Sequence, residues 1–280
     1  MSIELINPIE FDYITGKCRE FFKSRGLTEC FVQNKLSILA SCEDVSTIST
    51  FEYAGSVWPL PQTGQMWLEF LLLNNPTSKG YFCISTSYRQ EPTPVLGRHD
   101  LIFPMIEFEI PTGIEGLREF EKDLLEYLGF GPKNTFPEGE YLDICKKYNT
   151  DELSHDHEKR IYEDYGPVFF LNNFPETTQP FWNMHRSSTG LAEKTDVIIF
   201  GVETFGSASR SCDPNSMRKN FYSISEGMYA NLLYSRFGKN RVEDELAAFL
   251  SHNFFTRSGC GIGLTRLIRA MRLANLIPTQ

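Results

Sequence analysis

A chain of 280 residues with 41% apolar and 14% aromatic content holds ample core for one domain, expected here over 1–280. Its formal charge of −9 argues against a broad phosphate-backbone footprint, so no DNA partner is expected. No apolar run is long enough to cross a bilayer, and Met1–Leu5 lacks the basic and apolar regions of a secretion signal, so no membrane partner is expected. The seven cysteines form no Cys-x-x-Cys pair, which excludes a zinc or disulfide framework and fits a reduced, cytoplasmic setting.

In chain order, Ile9–Arg25 reads as a helix stopped by Gly26, and Thr28–Val32 as a short strand. Asp44–Gly64, with Pro59 and Pro61, reads as a loop. Met66–Leu73 and Gly80–Tyr88 read as strands around an Asn-Asn-Pro-Thr turn, and Leu101–Ile110 as a third. Gly113–Leu128 is an amphipathic helix, and 131–164 is polar with weak helical pieces. Val168–Asn172 and Val197–Glu203 read as strands, Ser216–Phe237 and Val242–His252 as helices, and Leu264–Leu273 as the closing element. Adjacent strand pairs with helices at their flanks predict an α+β fold with an antiparallel sheet.

Three segments carry the chemistry. Gly259-Cys260-Gly261-Ile262-Gly263 precedes Arg266, and only 17 residues follow Gly263. A dinucleotide-binding βαβ unit does not fit there. The glycines read instead as a strand against which a nucleotide lies, with Gly261 and Gly263 as bare backbone and Arg266 facing phosphate. The alternative is tight helix–sheet packing with a surface arginine. The second segment places Arg89 for bidentate contact with a carboxylate or phosphate. Within it, Glu91 is placed to accept the adenine amino group, His99 (after Arg98) lies by the terminal phosphate, and Phe103 stacks on the base. Glu107 and Glu109 share one strand face, which is costly unless a cation or donors occupy the site; a solvated edge strand is the alternative. In the third segment, Asp196 and Glu203 bracket an apolar strand at odd spacing, so joint Mg²⁺ binding needs a bulge or bend. Glu203 is the firmer metal candidate, and Arg210 follows it.

These residues resemble the catalytic core of class II aminoacyl-tRNA synthetases, aspartyl/asparaginyl subgroup, with its archaeal asparagine-synthetase relatives. Phe21–Glu29 is similar to the dimer-forming element, although Gln33 stands at its usual proline. Gln62-Thr63-Gly64-Gln65 is similar to the subgroup's Gln-Ser-Pro-Gln loop, which makes Gln65 a substrate residue along with Glu107 and Arg210. Tyr88–Glu91 with Arg98, His99 and Phe103, and Gly259–Leu267, resemble the two ATP-binding motifs. Glu203–Arg210 resembles the stretch that carries a Mg-ATP carboxylate and the arginine for the substrate side chain. The resemblance implies an adenylate-forming ligase using ATP and Mg²⁺, with Arg89 and Arg266 as its catalytic pair, an aspartate-like acid as substrate and a homodimeric assembly. Leu68 and Ile102 depart from the pattern, standing where the subgroup has a lysine and a glutamate. No anticodon-binding barrel precedes the first motif, so weak tRNA binding is expected. The acceptor stays open between ammonia, which would give asparagine, and tRNA, a protein or a small molecule. A non-catalytic regulatory module is the third reading, and the presence of Arg89, Glu91, Glu203 and Arg266 argues against it.

Overall fold

The computed structural model describes residues 5–39, 47–91 and 100–278. An eight-stranded sheet runs through them. Its strands are β1 (Thr28–Glu29), β4 (Tyr81–Tyr88), β5 (Ile102–Ile110), β10 (Ser258–Gly263), β9 (Val202–Ser209), β8 (Ala192–Ile199), β7 (Val168–Phe174) and β6 (Glu138–Glu140), in that spatial order. The six inner strands pair antiparallel, and only the edge pairs β1/β4 and β6/β7 are parallel. The expected α+β class with a helix-flanked antiparallel sheet is therefore present.

Strand alternation divides the sheet into two unlike faces. Phe82, Ile106, Phe108, Cys260, Ile262, Val197, Ile199 and Phe205 point to one side and pack with α1 (Pro8–Ser24), α3 (Ile114–Leu128) and α9 (Leu264–Leu273). Their periodic apolar stripes face that layer. The other face carries polar and small residues at the centre of the sheet. It is walled on one side by α2 (Gln65–Asn74), α6 (Pro214–Ser223), α7 (Met228–Phe237) and α8 (Lys239–Leu250). On the other it is walled by α4 (Tyr141–Tyr148) and α5 (His155–Tyr165).

Several expected elements differ. Met66–Leu73 is helical within α2, not a strand. A nearly unbroken apolar run has no period to read, and this helix is buried on most of its circumference. Within Asp44–Gly64 lies a hairpin, β2 (Ser49–Tyr53) and β3 (Ser56–Leu60). Val197–Glu203 is not one strand but the end of β8, a tight turn and the start of β9. Phe200 and Gly201 both have positive φ (48° and 73°), the combination that a two-residue hairpin matching the strand twist requires. Ser216–Phe237 breaks into α6 and α7 at Ser225–Gly227, again through positive φ. Thr28–Val32 shortens to Thr28–Glu29.

In the segment Phe21–Glu29, Phe21 and Phe22 are buried in their own chain, ring to ring with Phe120, Phe82 and Phe108.

Among the described residues the back face carries one buried acid. Glu121 on α3 is fully buried beneath the sheet. Burial pushes its carboxyl from the ordinary 4.5 up to about 7, only partly opposed by Ser207, Cys260, Arg118 and Lys122. A folded-state pKa above the unfolded one means the fold binds the extra proton. The stability this contributes is complete below about pH 4.5 and is lost as pH rises through about 7. Glu121→Gln should therefore stabilise the protein at pH 8, on the order of 1–3 kcal/mol. The gain should shrink toward zero at pH 5, and urea unfolding of both proteins across that range checks it. A gain that does not vary with pH would contradict a raised pKa.

Candidate active site

The floor of the site is the polar face of the four central strands. Across it, Glu107 of β5 lies opposite Gly261 of β10, Gly261 opposite Gly206 of β9, and Gly206 opposite Asp196 of β8. The next row reads Glu109, Gly259, Ala208, Lys194. Strand spacing sets an acidic wall and a Lys194/Asp196 wall roughly 14 Å apart, with a trough of small residues between them.

A β-bulge answers the spacing problem at Asp196 and Glu203. Val197 pairs with Phe205, but Ile198 pairs with Glu203, so Thr204 is the extra residue. The bulge and the hairpin together bring Glu203 onto the same face as Asp196, and both line one cavity of about 190 Å³. The Glu203 amide donates to Glu158 Oε2 of α5 at 2.8 Å, which ties that helix to the hairpin.

The main cavity, of about 230 Å³, gathers residues far apart in the chain: Arg89, Glu91, Phe103, Glu203 and Arg266, above Gly206, Gly261 and Gly263. The Arg89 guanidinium lies 5.6 Å from the Phe103 ring centre. Arg266 Nη1 donates to the Glu203 carbonyl at 2.7 Å and stands 3.8 Å from its carboxylate. His155, in the first turn of α5, also lines this cavity. The sequence gives no hint of that beyond a helix start at Ser154. Arg98 and His99 lie outside the described residues.

Three expected roles change. Glu107 is fully buried and occupied. It accepts from the Thr63 hydroxyl, from Gly64 N at 2.7 Å and from Ser85 Oγ at 2.5 Å, so it anchors the loop 62–65 in place of a substrate contact. Burial raises its carboxyl while these donors pull it down. Arg210 is not a lone reader of substrate. Its Nε and Nη2 form a bidentate pair with Glu109 at 3.1 and 3.0 Å, and Nη2 also reaches Gln65 Oε1 at 2.9 Å. Gln65 is thereby a partner of Arg210 at the edge of the trough. The glycines, finally, make room for the protein itself. A Cβ on Gly259 would fall inside the Glu109 carboxylate and 2.7 Å from the Phe108 carbonyl; one on Gly261 would lie 2.5 Å from Gln65 Nε2. Gly263, where an added Cβ would meet only the Arg266 side chain at 3.6 Å, lines the main cavity together with Gly206. Of the two departures, Leu68 points into the core and Ile102 is exposed, and neither lines the trough.

Carboxylates at Glu203 and Asp196 suit Mg²⁺, which takes one or two protein carboxylates and completes its shell with water and phosphate. No group of three or more candidate ligands exists among the described residues, so an all-protein cage is not built here.

The crowding at Gly259 gives a direct check. Gly259→Ala should destabilise by about 3 kcal/mol or more, because it drives a methyl group into a buried ion pair and a rigid carbonyl. Gly16→Ala, in the exposed interior of α1 with nothing within 4 Å, should stabilise by about 0.5–1 kcal/mol. Thermal and urea unfolding of the two variants should move in opposite directions.

The family model for tRNA synthetases class II (D, K and N) matches residues 12–278. The lysine–tRNA ligase of Kineococcus radiotolerans is 27% identical over 114 residues, 41% of this chain and 22% of that protein. The aspartate–tRNA(Asp) ligase of Pyrobaculum aerophilum is 26% identical over 121 residues, 43% of this chain and 25% of that protein. Among solved structures, the asparaginyl-tRNA synthetase of Pyrococcus horikoshii complexed with asparaginyl-adenylate superposes with a TM-score of 0.75 at 19% identity. That match covers 93% of this chain and 64% of the other, a likeness of fold. The matched segments span about a quarter of the length of the curated relatives. With nearly its whole length matched by one family model over a sheet of this topology, the chain belongs to the class II tRNA synthetases of the D, K and N group.

Proposed function

We propose that this chain is an ATP-dependent, amino-acid-activating ligase that joins a substrate carboxylate to the α-phosphate of ATP and releases pyrophosphate. The observation that carries the reading is the convergence of three distant segments on one cavity: Arg89 with Phe103, Glu203 with Gly206, and Gly263 with Arg266.

Each residue has a role suited to its chemistry. Phe103 offers a flat face to the adenine, and Glu91 accepts from its amino group. Arg89, at the end of β4, presents a rigid donor fork to the carboxylate and the α-phosphate as they meet. Arg266 faces the departing pyrophosphate from the first turn of α9. Glu203, with Asp196, would hold Mg²⁺, which when bound neutralises phosphate charge. No side chain here needs to move a proton. Catalysis is positioning and charge stabilisation in a site with a preformed floor. The substrate proposed is an amino acid with a short, oxygen-bearing side chain. The assembly proposed is a homodimer in the cytoplasm, with the described fold as one catalytic domain.

The acceptor defines the product. Ammonia attacking an activated side-chain carboxylate would give asparagine. Transfer to tRNA is the second reading, favoured by the curated relatives being named as tRNA ligases.

An amino-acid panel in ATP–pyrophosphate exchange tests activation, and exchange is expected with an acidic amino acid. Arg89→Ala and Arg266→Ala should each reduce exchange by about 100- to 1000-fold while far-UV circular dichroism stays unchanged. Undiminished exchange in either variant would show that the site is misplaced. No exchange with any amino acid would overturn the activation reading. Salt-sensitive aminoacylation of a tRNA would promote the second reading.

A further inference from the structure

Beyond Gly206 the trough leads into a recess of about 10 Å³ bounded by Gln65, Gly206, Ala208, Lys194 and Arg210, with room for the tip of one small polar group. Two cations border it, and they differ in how they are held. The Arg210 side chain is 2% exposed and bidentate to a wholly buried Glu109. Drawing Arg210 away would strand that carboxylate inside the sheet. The Lys194 side chain is 18% exposed and meets Asp196 at 3.0 Å, with its ammonium 4.3 Å from the Phe174 ring centre. Asp196 itself faces the neighbouring cavity that Glu203 shares. Lysine carries a point charge on a flexible stem, so its ammonium can turn toward the recess without breaking a fixed fork.

We propose that Lys194 is the specificity-determining residue for the substrate side chain and that it selects a short one ending in a carboxylate. The proposal rests on the activation reading of the main cavity and refines it: with the side-chain carboxylate held in the recess, the α-carboxylate is the one activated, which favours the tRNA-transfer reading over asparagine formation. A carboxylate entering past Gly206 meets the ammonium of Lys194 beside a guanidinium that is already balanced. An amide supplies no charge, and Gln65 Oε1 at the rim of the recess already accepts from Arg210. A side chain ending in an ammonium faces like charge at the end of the trough. An aliphatic one would cover the ammonium without replacing its hydration. The small size of the recess favours the shorter acid.

The test is calorimetric titration of L-aspartate, L-asparagine and L-lysine into the whole chain, for the parent, Lys194→Met and Lys194→Arg, with ATP–pyrophosphate exchange run beside it. The parent should prefer aspartate. Lys194→Met should weaken aspartate binding by about 10- to 100-fold and erase the preference over asparagine. Lys194→Arg, which keeps the charge, should retain part of the preference. Unchanged aspartate affinity in Lys194→Met would overturn the proposal. So would a parent protein that prefers asparagine or lysine, or that binds none of the three. Selective aspartate binding through Lys194 without exchange would leave the proposal standing and sink the activation reading. Exchange with the same amino-acid ranking in Lys194→Met would do the reverse.

Discussion

A set of four charges sealed under the floor of the trough holds the rest of the site in register. Arg210 pairs with Glu109, and Arg257 pairs with Glu69 of α2, its Nε 2.9 Å from Oε1, all with side chains at most 2% exposed. The two pairs are linked by backbone. Arg210 N donates to the Arg257 carbonyl, Arg257 Nη2 to the Ser211 carbonyl, and Ser211 N to the Asn183 carbonyl, while the Asn183 side chain donates to Glu69. Burial drives the Glu109 carboxyl upward, and the Arg210 guanidinium opposes that rise. Buried pairs of this kind add little net stability over a well-packed apolar alternative, yet losing one partner costs about 3–5 kcal/mol. Their value here is geometric. They fix α2 against the end of β9 and the start of β10, and Arg210 then fixes Gln65.

The part of this arrangement that follows strand or helix periodicity is legible in the sequence. The alternation of Glu107 and Glu109 with Ile106, Phe108 and Ile110 shows a strand with one polar face, and the glycine strand before Arg266 is equally plain. The pairing of Glu109 with Arg210 is not legible, because the two lie 101 positions apart and no local rule relates them. Glu107 fails for the same reason: its donors, Thr63 and Gly64, come from a loop more than 40 positions upstream. Two acids on one face can signal a substrate site or an internal anchor, and only the tertiary partners decide. The helix α2 escaped because its apolar run has no period. Its one charged residue, Glu69, faces inward to Arg257 and so gives no polar stripe. The bulge at Thr204 is likewise silent in sequence, although the joint placement of Asp196 and Glu203 depends on it.

The glycines show how one local signal can carry two meanings. A strand of alternating glycines leaves a groove, and the groove can be filled by ligand or by protein. At Gly259 it is filled by Glu109 and at Gly261 in part by Gln65, whereas Gly263 stays open beneath the main cavity. The same strand thus serves as packing surface for its first half and as site floor for its second. The boundary falls at Gln65, the residue that Arg210 holds.

Charge explains why such a floor needs help from a cation. Among the described residues that line the main cavity, two arginines face Glu91, Asp100 and Glu203. The formal balance of these groups is no better than neutral for a polyphosphate, and the chain as a whole carries −9. The distant part of that charge matters little, because salt screens it over about 8 Å at physiological ionic strength. The local carboxylates are not screened in the same way, and with no counter-charge they would repel the triphosphate. Under the proposed function, a divalent cation held by Glu203 and Asp196 would reverse the sign of that contribution, turning the carboxylates from an obstacle into ligands. Arg89 and Arg266 would then act, under the same proposed function, on the reacting and departing phosphates, in place of offsetting the acids around them.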